Sequence, residues 1–422
     1  MPLRLRRVSA RRLVSELGKR RNLLVATFIR VGGAGIAAVS IVIGVRILGA
    51  EQFGLSVLAL AFGQVAALPL TALERLIIRL AATGDAEGAR VLLRRGTIYC
   101  AIILAALIPT CLYLASESLS LAMFIASAGV TASMNGLVTL RQGLNRASGR
   151  LIWGQAPNEL FRPFATIVGY AVAASTVTSN ISGAFATLLA SALTPGLIIF
   201  SPTSIPTSRD EPRTPSPDSR MFSRSANSLL VIAGVASAVE RVYPMILATV
   251  GNSGDVAIFA VAMRVIQLGM FGQALGIFMY SPPLAAALVG GVATQASAAI
   301  ARRIRIVGAA CALPVAAACL LAPRQLEAAF GHELDLRVPL IFVTVAILCQ
   351  CLTGPSQASL IMGAREDSVA KAYVTSYVIG LIVFSFVPLA PANSAPAAVV
   401  TTYLAWSILQ LASTRRIFGR FI

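Results

Sequence analysis

Residues 23–48 read LLVATFIRVGGAGIAAVSIVIGVRIL, and only Arg30 and Arg46 interrupt the run with charge. An α-helix rises about 1.5 Å per residue, so roughly 20 such residues cross a hydrocarbon core about 30 Å thick. Residues 1–22, just before it, carry Arg4, Arg6, Arg7, Arg11, Arg12, Lys19, Arg20 and Arg21. A charged start followed by apolar residues resembles a cleavable signal. This stretch, however, is too long for a signal's apolar region and has no clean small-residue cleavage site. It is the first membrane helix of the chain, and the basic arm before it is expected to stay in the cytoplasm.

The same pattern recurs to the end of the sequence. Of the 422 residues, 57% are hydrophobic and 12% charged, and the mean hydropathy is +0.80. A soluble domain carries about 25% charged residues, so disordered, collagen-like and ordinary globular classes are excluded. The pattern predicts an all-α polytopic membrane protein with twelve transmembrane helices, at 23–48, 53–73, 97–115, 119–140, 159–177, 181–200, 227–249, 256–280, 304–322, 338–361, 370–389 and 395–413.

The net charge of +18 comes from 35 Lys and Arg against 17 Asp and Glu. Taken alone, that excess would suggest a nucleic-acid partner, but the basic residues lie between apolar spans and form no continuous face, so no nucleic acid is expected. With twelve spans, the connections on one side hold 28 basic residues and those on the other only Arg46, Arg324 and Arg337. By the positive-inside rule both termini are cytoplasmic, and the expected location is the inner (plasma) membrane, as a multi-pass protein among its lipids.

The segment Ser201–Arg224, SPTSIPTSRDEPRTPSPDSRMFSR, is rich in Pro, Ser and charge and has no apolar period. It predicts a flexible cytoplasmic linker over 201–225, which divides six helices (23–200) from six (226–414), followed by a basic tail, 415–422. A shift of 203 residues lays Phe53-Gly-Leu-Ser-Val-Leu-Ala on Val256-Ala-Ile-Phe-Ala-Val-Ala and Gln64 on Gln267. Because six is even, both halves start on the same side, so the implied repeat is parallel, about an axis along the membrane normal. Leu284–Arg305, Ala/Gly-rich and ending in Arg302, Arg303 and Arg305, predicts either an interfacial helix or an extension of the ninth span.

The six cysteines all lie in apolar spans. Cys349 and Cys351, two apart on a helix, point about 200° from each other and cannot bridge. The single histidine, His332, sits in a polar loop, so no metal-ligand cluster and no Ser-His-Asp or Cys-His set is available. Neither a cofactor nor enzymatic chemistry is expected.

Charges inside the spans are informative because each costs roughly 2.5–3.5 kcal/mol on the insertion scale. They are Arg30, Glu240, Arg241 and Arg264. By residue count, Glu240 and Arg264 lie at similar depth in an antiparallel hairpin, about 14 Å from the outer surface, and a Glu240–Arg264 pair is one reading. Even then three cations face one anion, and an anionic substrate is the natural partner for the excess. Arg30 could instead snorkel to the cytoplasmic surface, and Arg46 outward. Glu159 and Arg162, three apart, predict an i,i+3 ion pair. Pro69, Pro109, Pro195-Gly196, Pro244, Pro314 and Gly354-Pro355 interrupt spans, and Pro244 disturbs the carbonyl of Glu240. Kinks around buried charge suit a moving transporter. Gly32, Gly33, Gly35 and Gly44 suit close helix packing.

The stretch Arg46-Ile-Leu-Gly-Ala-Glu-Gln-Phe-Gly54 resembles the R-x-L-G-x-x-x-[YF]-G turn between the first two helices of Wzx-type polysaccharide flippases, within the superfamily of multidrug, oligosaccharidyl-lipid and polysaccharide exporters. Ala72-Leu-Glu-Arg-Leu-Ile-Ile-Arg79, Val239-Glu-Arg241, Gly251 with Ala257-Ile-Phe-Ala260, and Ser281-Pro-Pro-Leu284 are similar to the family's later helix ends. One departure is Ala257-Ile-Phe259, where the family usually has Gly-x-Tyr. The resemblance implies two six-helix lobes around a central cationic cavity. It implies an undecaprenyl-diphosphate-linked oligosaccharide as cargo, moved by alternating access for O-antigen, capsule or exopolysaccharide assembly, with a polysaccharide polymerase among its partners. Arg30, Arg241, Arg264, Gln64 and Gln267 are the expected substrate-binding residues, the arginines as bidentate diphosphate ligands, and Glu240 the ion-pair or coupling residue.

A multidrug antiporter of the same superfamily would want carboxylates inside its spans, and the first half has none well inside one. A peptidoglycan-precursor flippase usually has fourteen helices. A membrane glycosyltransferase would show paired carboxylates or a large outer domain, and a scaffold would leave the charges of the seventh and eighth spans without a role.

Overall fold

The computed structural model describes residues 3–71, 73, 74, 77, 86–147, 150, 152–177, 181–194, 219–288, 294–330, 334–363 and 365–419. Within them the elements are α1 (Leu3–Ala66), α2 (Ala86–Glu117), α3 (Leu119–Ala147), a π-helical turn (Pro157–Phe161) running into α4 (Arg162–Thr176), α5 (Ser182–Leu193), α6 (Ser219–Val250), α7 (Ser253–Ala287), α8 (Gln295–Leu321), α9 (Pro323–Phe330), α10 (Arg337–Met362), α11 (Glu366–Phe386) and α12 (Pro391–Phe418). As far as its residues are described, each of the twelve expected spans lies mainly on helix, and α9 is an additional short helix in the loop before the tenth span. Eight helices among the described residues are long and apolar enough to cross a membrane. The chain is a multi-pass, all-α membrane protein.

The first two spans form α1, which folds back on itself. Gly49 is its one non-helical residue, at φ 76°, a left-handed conformation that favours glycine. A straight helix would separate residues 44 and 53 by about 13 Å, yet a side chain on Gly44 would run into the ring of Phe53. The first limb, ending at Leu48, and the second, starting at Ala50, therefore lie side by side. The second limb ends at Ala66, two residues before the Pro69 region resumes as helix. Pro109, Pro244, Pro314 and Pro355 sit inside continuous helices, so Pro69 is the described proline that coincides with a helix break. Pro195-Gly196 and His332 lie outside the described residues.

Two lobes result. In the first, α2 packs on α3, α4 on α5, and α1 on α3, α4 and α5; in the second, α7 packs on α8 and α10, α11 on α12 and α6, and α10 on α12. Small hydroxyls join helices inside each lobe: Ser56 to Thr187 at 2.7 Å, Thr131 to Ser191 at 2.7 Å and Thr353 to Ser407 at 2.9 Å. Such bonds stand in for the hydrophobic drive that lipid removes.

The lobes meet chiefly where α1 packs on α6 and α7. Near the end away from the basic connections, Gly54 admits the carbonyl of Ser253, a contact that a side chain at Gly54 would overlap. Arg46, expected to turn outward, donates from Nη2 to the carbonyl of Ala328 in α9 at 2.9 Å. Ile41, Val45 and Phe53 of α1 belong to the same buried cluster as Tyr243, Leu247 and Phe259 of the second lobe. The lobes are therefore joined at this end.

Two boundaries differ from the expected ranges. The linker was expected to reach residue 225, but α6 begins at Ser219, immediately past Pro217, the last proline of the segment and hence the last local obstacle to a helix. The remainder of the linker, 201–218, lies outside the described residues. Of the two readings of Leu284–Arg305, the extension of the ninth span is the one found among the described residues: α7 runs to Ala287, and α8 starts at Gln295 with a Thr294–Ser297 capping box and carries Arg302, Arg303 and Arg305. The cap satisfies the free N–H groups of the first turn, so the helix extends in one piece. All six cysteines are free.

Two α1 glycines make contrasting predictions. Gly35→Ala meets nothing within 4 Å and removes a flexible residue from a helix, so it should leave stability unchanged or raise it by about 0.5–1 kcal/mol. Gly54→Ala should lower stability by about 1–3 kcal/mol through overpacking. Thermal unfolding in detergent compares them, and equal midpoints would contradict the close seam at Ser253.

Candidate cargo cavity

A cavity of about 720 Å³ lies between the lobes. On the first limb of α1 its wall includes Arg30, Gly33, Ala37 and Ile41, and on the second limb Val57, Leu60, Ala61 and Gln64. The latter spacing of i, i+3, i+4 and i+7 is one face of a helix. In α7 the wall is Ala260, Met263, Arg264 and Gln267, the same spacing. The two sets are offset by 203 residues, the shift at which the two halves of the sequence align.

The wall carries four guanidinium groups, Arg30, Arg162, Arg241 and Arg264, against two carboxylates, Glu159 and Glu240. Arg241 donates from Nε to Oε1 of Gln64, a hydrogen bond from the second lobe to the first. Arg264 donates from Nη1 to Oε1 of Gln267 at 2.7 Å. A neutral amide oxygen satisfies a guanidinium's geometry without cancelling its charge, so these bonds orient the cations and leave the excess in place. Arg30 is attracted by Glu159 and repelled by Arg146. It lines the cavity.

Two expected ion pairs are not formed. Glu240 makes no ion pair with Arg264 among the described residues. Gln267, one turn along the same helix, takes the Arg264 guanidinium, while Glu240 acts at longer range on Arg241, Arg264 and Tyr403. Nor does Glu159 pair with Arg162. The π-helical turn Pro157–Phe161 widens the helix and spoils the i,i+3 alignment on which the pair depended. It directs Arg162 into the cavity, where it lies within repulsive range of Arg241 and Arg264. The turn sits against α1 where Gly33, lacking a side chain, leaves room for the Glu159 carbonyl.

An aromatic group on the second lobe was not anticipated. Tyr373 of α11 and Tyr403 and Trp406 of α12 line the cavity. The Tyr373 and Trp406 rings are 4.3 Å apart and tilted by 45°, and those of Tyr403 and Trp406 5.7 Å apart and tilted by 32°. The i,i+3 spacing of Tyr403 and Trp406 was the available signal. A second, wholly apolar groove, lined by Val25, Phe28, Ile29, Gly32 and Leu160, lies on the adjoining face of the first α1 limb.

No protein-family model matches this sequence, and no curated protein matches it. Solved structures do. A MATE protein in its straight conformation aligns with a TM-score of 0.60 over 94% of this chain and 95% of that one, at 16% identity. The multidrug transporter DinF-BH in complex with R6G aligns at 0.59 over 94% and 96%, with 14% identity. The chain has the MATE fold. An outward-facing multidrug resistance MATE family transporter of the MOP superfamily, at 0.54 and 17% identity, covers 94% of both chains, and an inward-facing one aligns at 0.53. The two-lobe architecture expected from the sequence is the architecture found.

The geometry predicts that Arg264 is not held in place by Glu240. Arg264→Ala should therefore leave expression and thermal stability near those of the parent, and adding Glu240→Gln should not change either. Low expression restored by Glu240→Gln would show that the two groups neutralise each other.

Proposed function

We propose that this protein is a transporter that carries an anionic, lipid-linked oligosaccharide diphosphate across the inner membrane by alternating access, with both termini in the cytoplasm. The observation that carries the reading is the excess of arginine in the interlobe cavity, four guanidinium groups against two carboxylates. Guanidinium forks match diphosphate oxygens bidentately through charge-assisted hydrogen bonds. Arg30, Arg162, Arg241 and Arg264 bind the diphosphate, and Gln64 and Gln267 position Arg241 and Arg264. The apolar groove beside Arg30 suits a lipid tail that leaves the cavity while the head stays inside.

The mechanism follows from the contacts. The lobes are joined at the end away from the basic connections, and near mid-depth they share the Arg241–Gln64 hydrogen bond. A diphosphate that takes the Arg241 guanidinium competes with Gln64 and so loosens an interlobe tie when cargo is present. Solved proteins of this fold are found facing outward and inward, the two end states that a rocking mechanism needs. On this reading the product of transport feeds surface polysaccharide assembly, with a polymerase as the downstream partner.

A second reading is a multidrug transporter. It is favoured by the solved neighbours described as multidrug transporters, one of them in complex with R6G, and by the aromatic group beside Glu240, which suits a cationic dye through cation–π attraction.

Translocation of a fluorescent lipid-linked oligosaccharide diphosphate in proteoliposomes separates the two. The parent should move it. Arg162→Ala, Arg241→Ala and Arg264→Ala should each reduce the rate at least about tenfold, the equivalent of about 1.4 kcal/mol, and the Lys variants should recover part of it because the charge is kept and the fork lost. Transport of rhodamine 6G with no movement of the lipid-linked sugar would favour the multidrug reading.

A further inference from the structure

We infer that Tyr373, Tyr403, Trp406, Glu240 and Gln273 form a subsite for a sugar ring, separate from the arginines that take the phosphate. The inference rests on the proposed anionic glycolipid cargo and names which wall of the cavity reads its glycan.

Three observations carry it. The first is shape. The three rings lie together on one wall of the cavity, close and tilted, and an aromatic wall is the kind of apolar surface that takes the C–H face of a pyranose. The second is unmet polarity. Trp406 is 7% exposed and Gln273 5%, both line the cavity, and Trp406 Nε1 and Gln273 Oε1 have no hydrogen-bond partner among the described residues. Both atoms are closed off in this structure, and a buried donor or acceptor left unmade costs about 1–3 kcal/mol, so a ligand that reaches this wall and pairs with them is favoured. A sugar hydroxyl, which both donates and accepts, answers each.

The third is the carboxylate. Glu240 lines the same cavity, forms no ion pair among the described residues and stands within electrostatic range of Tyr403, Arg241 and Arg264. A carboxylate accepts hydrogen bonds from two adjacent hydroxyls at once. Within range of both the aromatic wall and two of the arginines, it is placed to meet the first sugar of a glycosyl phosphate.

Gly354 makes the arrangement possible, since a side chain there would overlap the amide of Gln273. A cationic dye is the competing occupant, because flat aromatic rings beside a carboxylate also attract a delocalised cation. The unpaired Trp406 N–H favours the sugar: it is a donor, and a cation's charged face gives it nothing to donate to.

The chain has two tryptophans, Trp153 and Trp406. A Trp153→Phe background makes Trp406 the sole indole reporter. In that background glucose 1-phosphate, galactose 1-phosphate, N-acetylglucosamine 1-phosphate and inorganic phosphate are titrated into the full-length protein. At least one sugar phosphate should bind several-fold more tightly than phosphate and change Trp406 emission, while phosphate leaves emission unchanged. Gln273→Leu should remove the sugar's advantage and leave phosphate binding intact, and Glu240→Gln should remove the advantage while phosphate itself binds as well or better. If all three sugar phosphates bind no better than phosphate, or if rhodamine 6G alone perturbs Trp406, the sugar subsite is wrong. If phosphate itself does not bind, it is the anionic-cargo reading that fails. Should a variant fold poorly, Tyr373→Phe, which keeps the ring and removes the hydroxyl, should retain the stacking response.

Discussion

Four guanidinium groups share one cavity inside a membrane protein, and their mutual repulsion and lost hydration shape what surrounds them. An ion in a low-dielectric interior must be solvated by the protein, because water and counterions are scarce. Here the arginines are served by amides. Gln64 and Gln267 accept from Arg241 and Arg264, which supplies directional bonds but no opposing charge. Carboxylates in their place would have closed the charge account within the protein and left an anion little to bind.

The element that makes this placement possible is α1. Its first limb brings Arg30 to the cavity and its second brings Gln64, and the reversal between them turns on Gly49 at φ 76°. The same helix supplies Gly54 and Arg46 to the contacts that hold the lobes together. It is at once a wall of the cavity and the main partner of the second lobe, so a ligand that moves Arg241 away from Gln64 acts directly on the element where the lobes meet. Allostery requires a ligand to contact the two states differently, and this hydrogen bond is a contact that the ligand can replace.

Much of this was legible in the sequence for physical reasons. Hydrocarbon thickness fixes span length, so the described parts of the twelve spans fell mainly on helix. The cost of burying charge singled out Arg30, Glu240, Arg241 and Arg264, each of which lines the cavity. The 203-residue offset, found in weak apolar similarity, reappears as two wall stripes with Gln64 and Gln267 at matching positions. What was missed depends on geometry that spacing alone does not carry. The Glu159–Arg162 pair presumed an ordinary helical turn, and the chain has a π-turn there. The Glu240–Arg264 pair was one reading, left open because equal depth says nothing about the direction in which a side chain points. Tyr373 lies on a different helix from Tyr403 and Trp406, so the aromatic wall exists only once α11 packs on α12.

The central claim is that the cavity is an anion site made by the arginine excess. Calorimetric titration of the detergent-solubilised protein with inorganic diphosphate tests it most directly. The account predicts saturable binding of one diphosphate per chain that weakens with rising salt and is lost when Arg162, Arg241 and Arg264 are all replaced by Gln. Absence of diphosphate binding in the parent protein, or binding that survives the triple replacement, would contradict it.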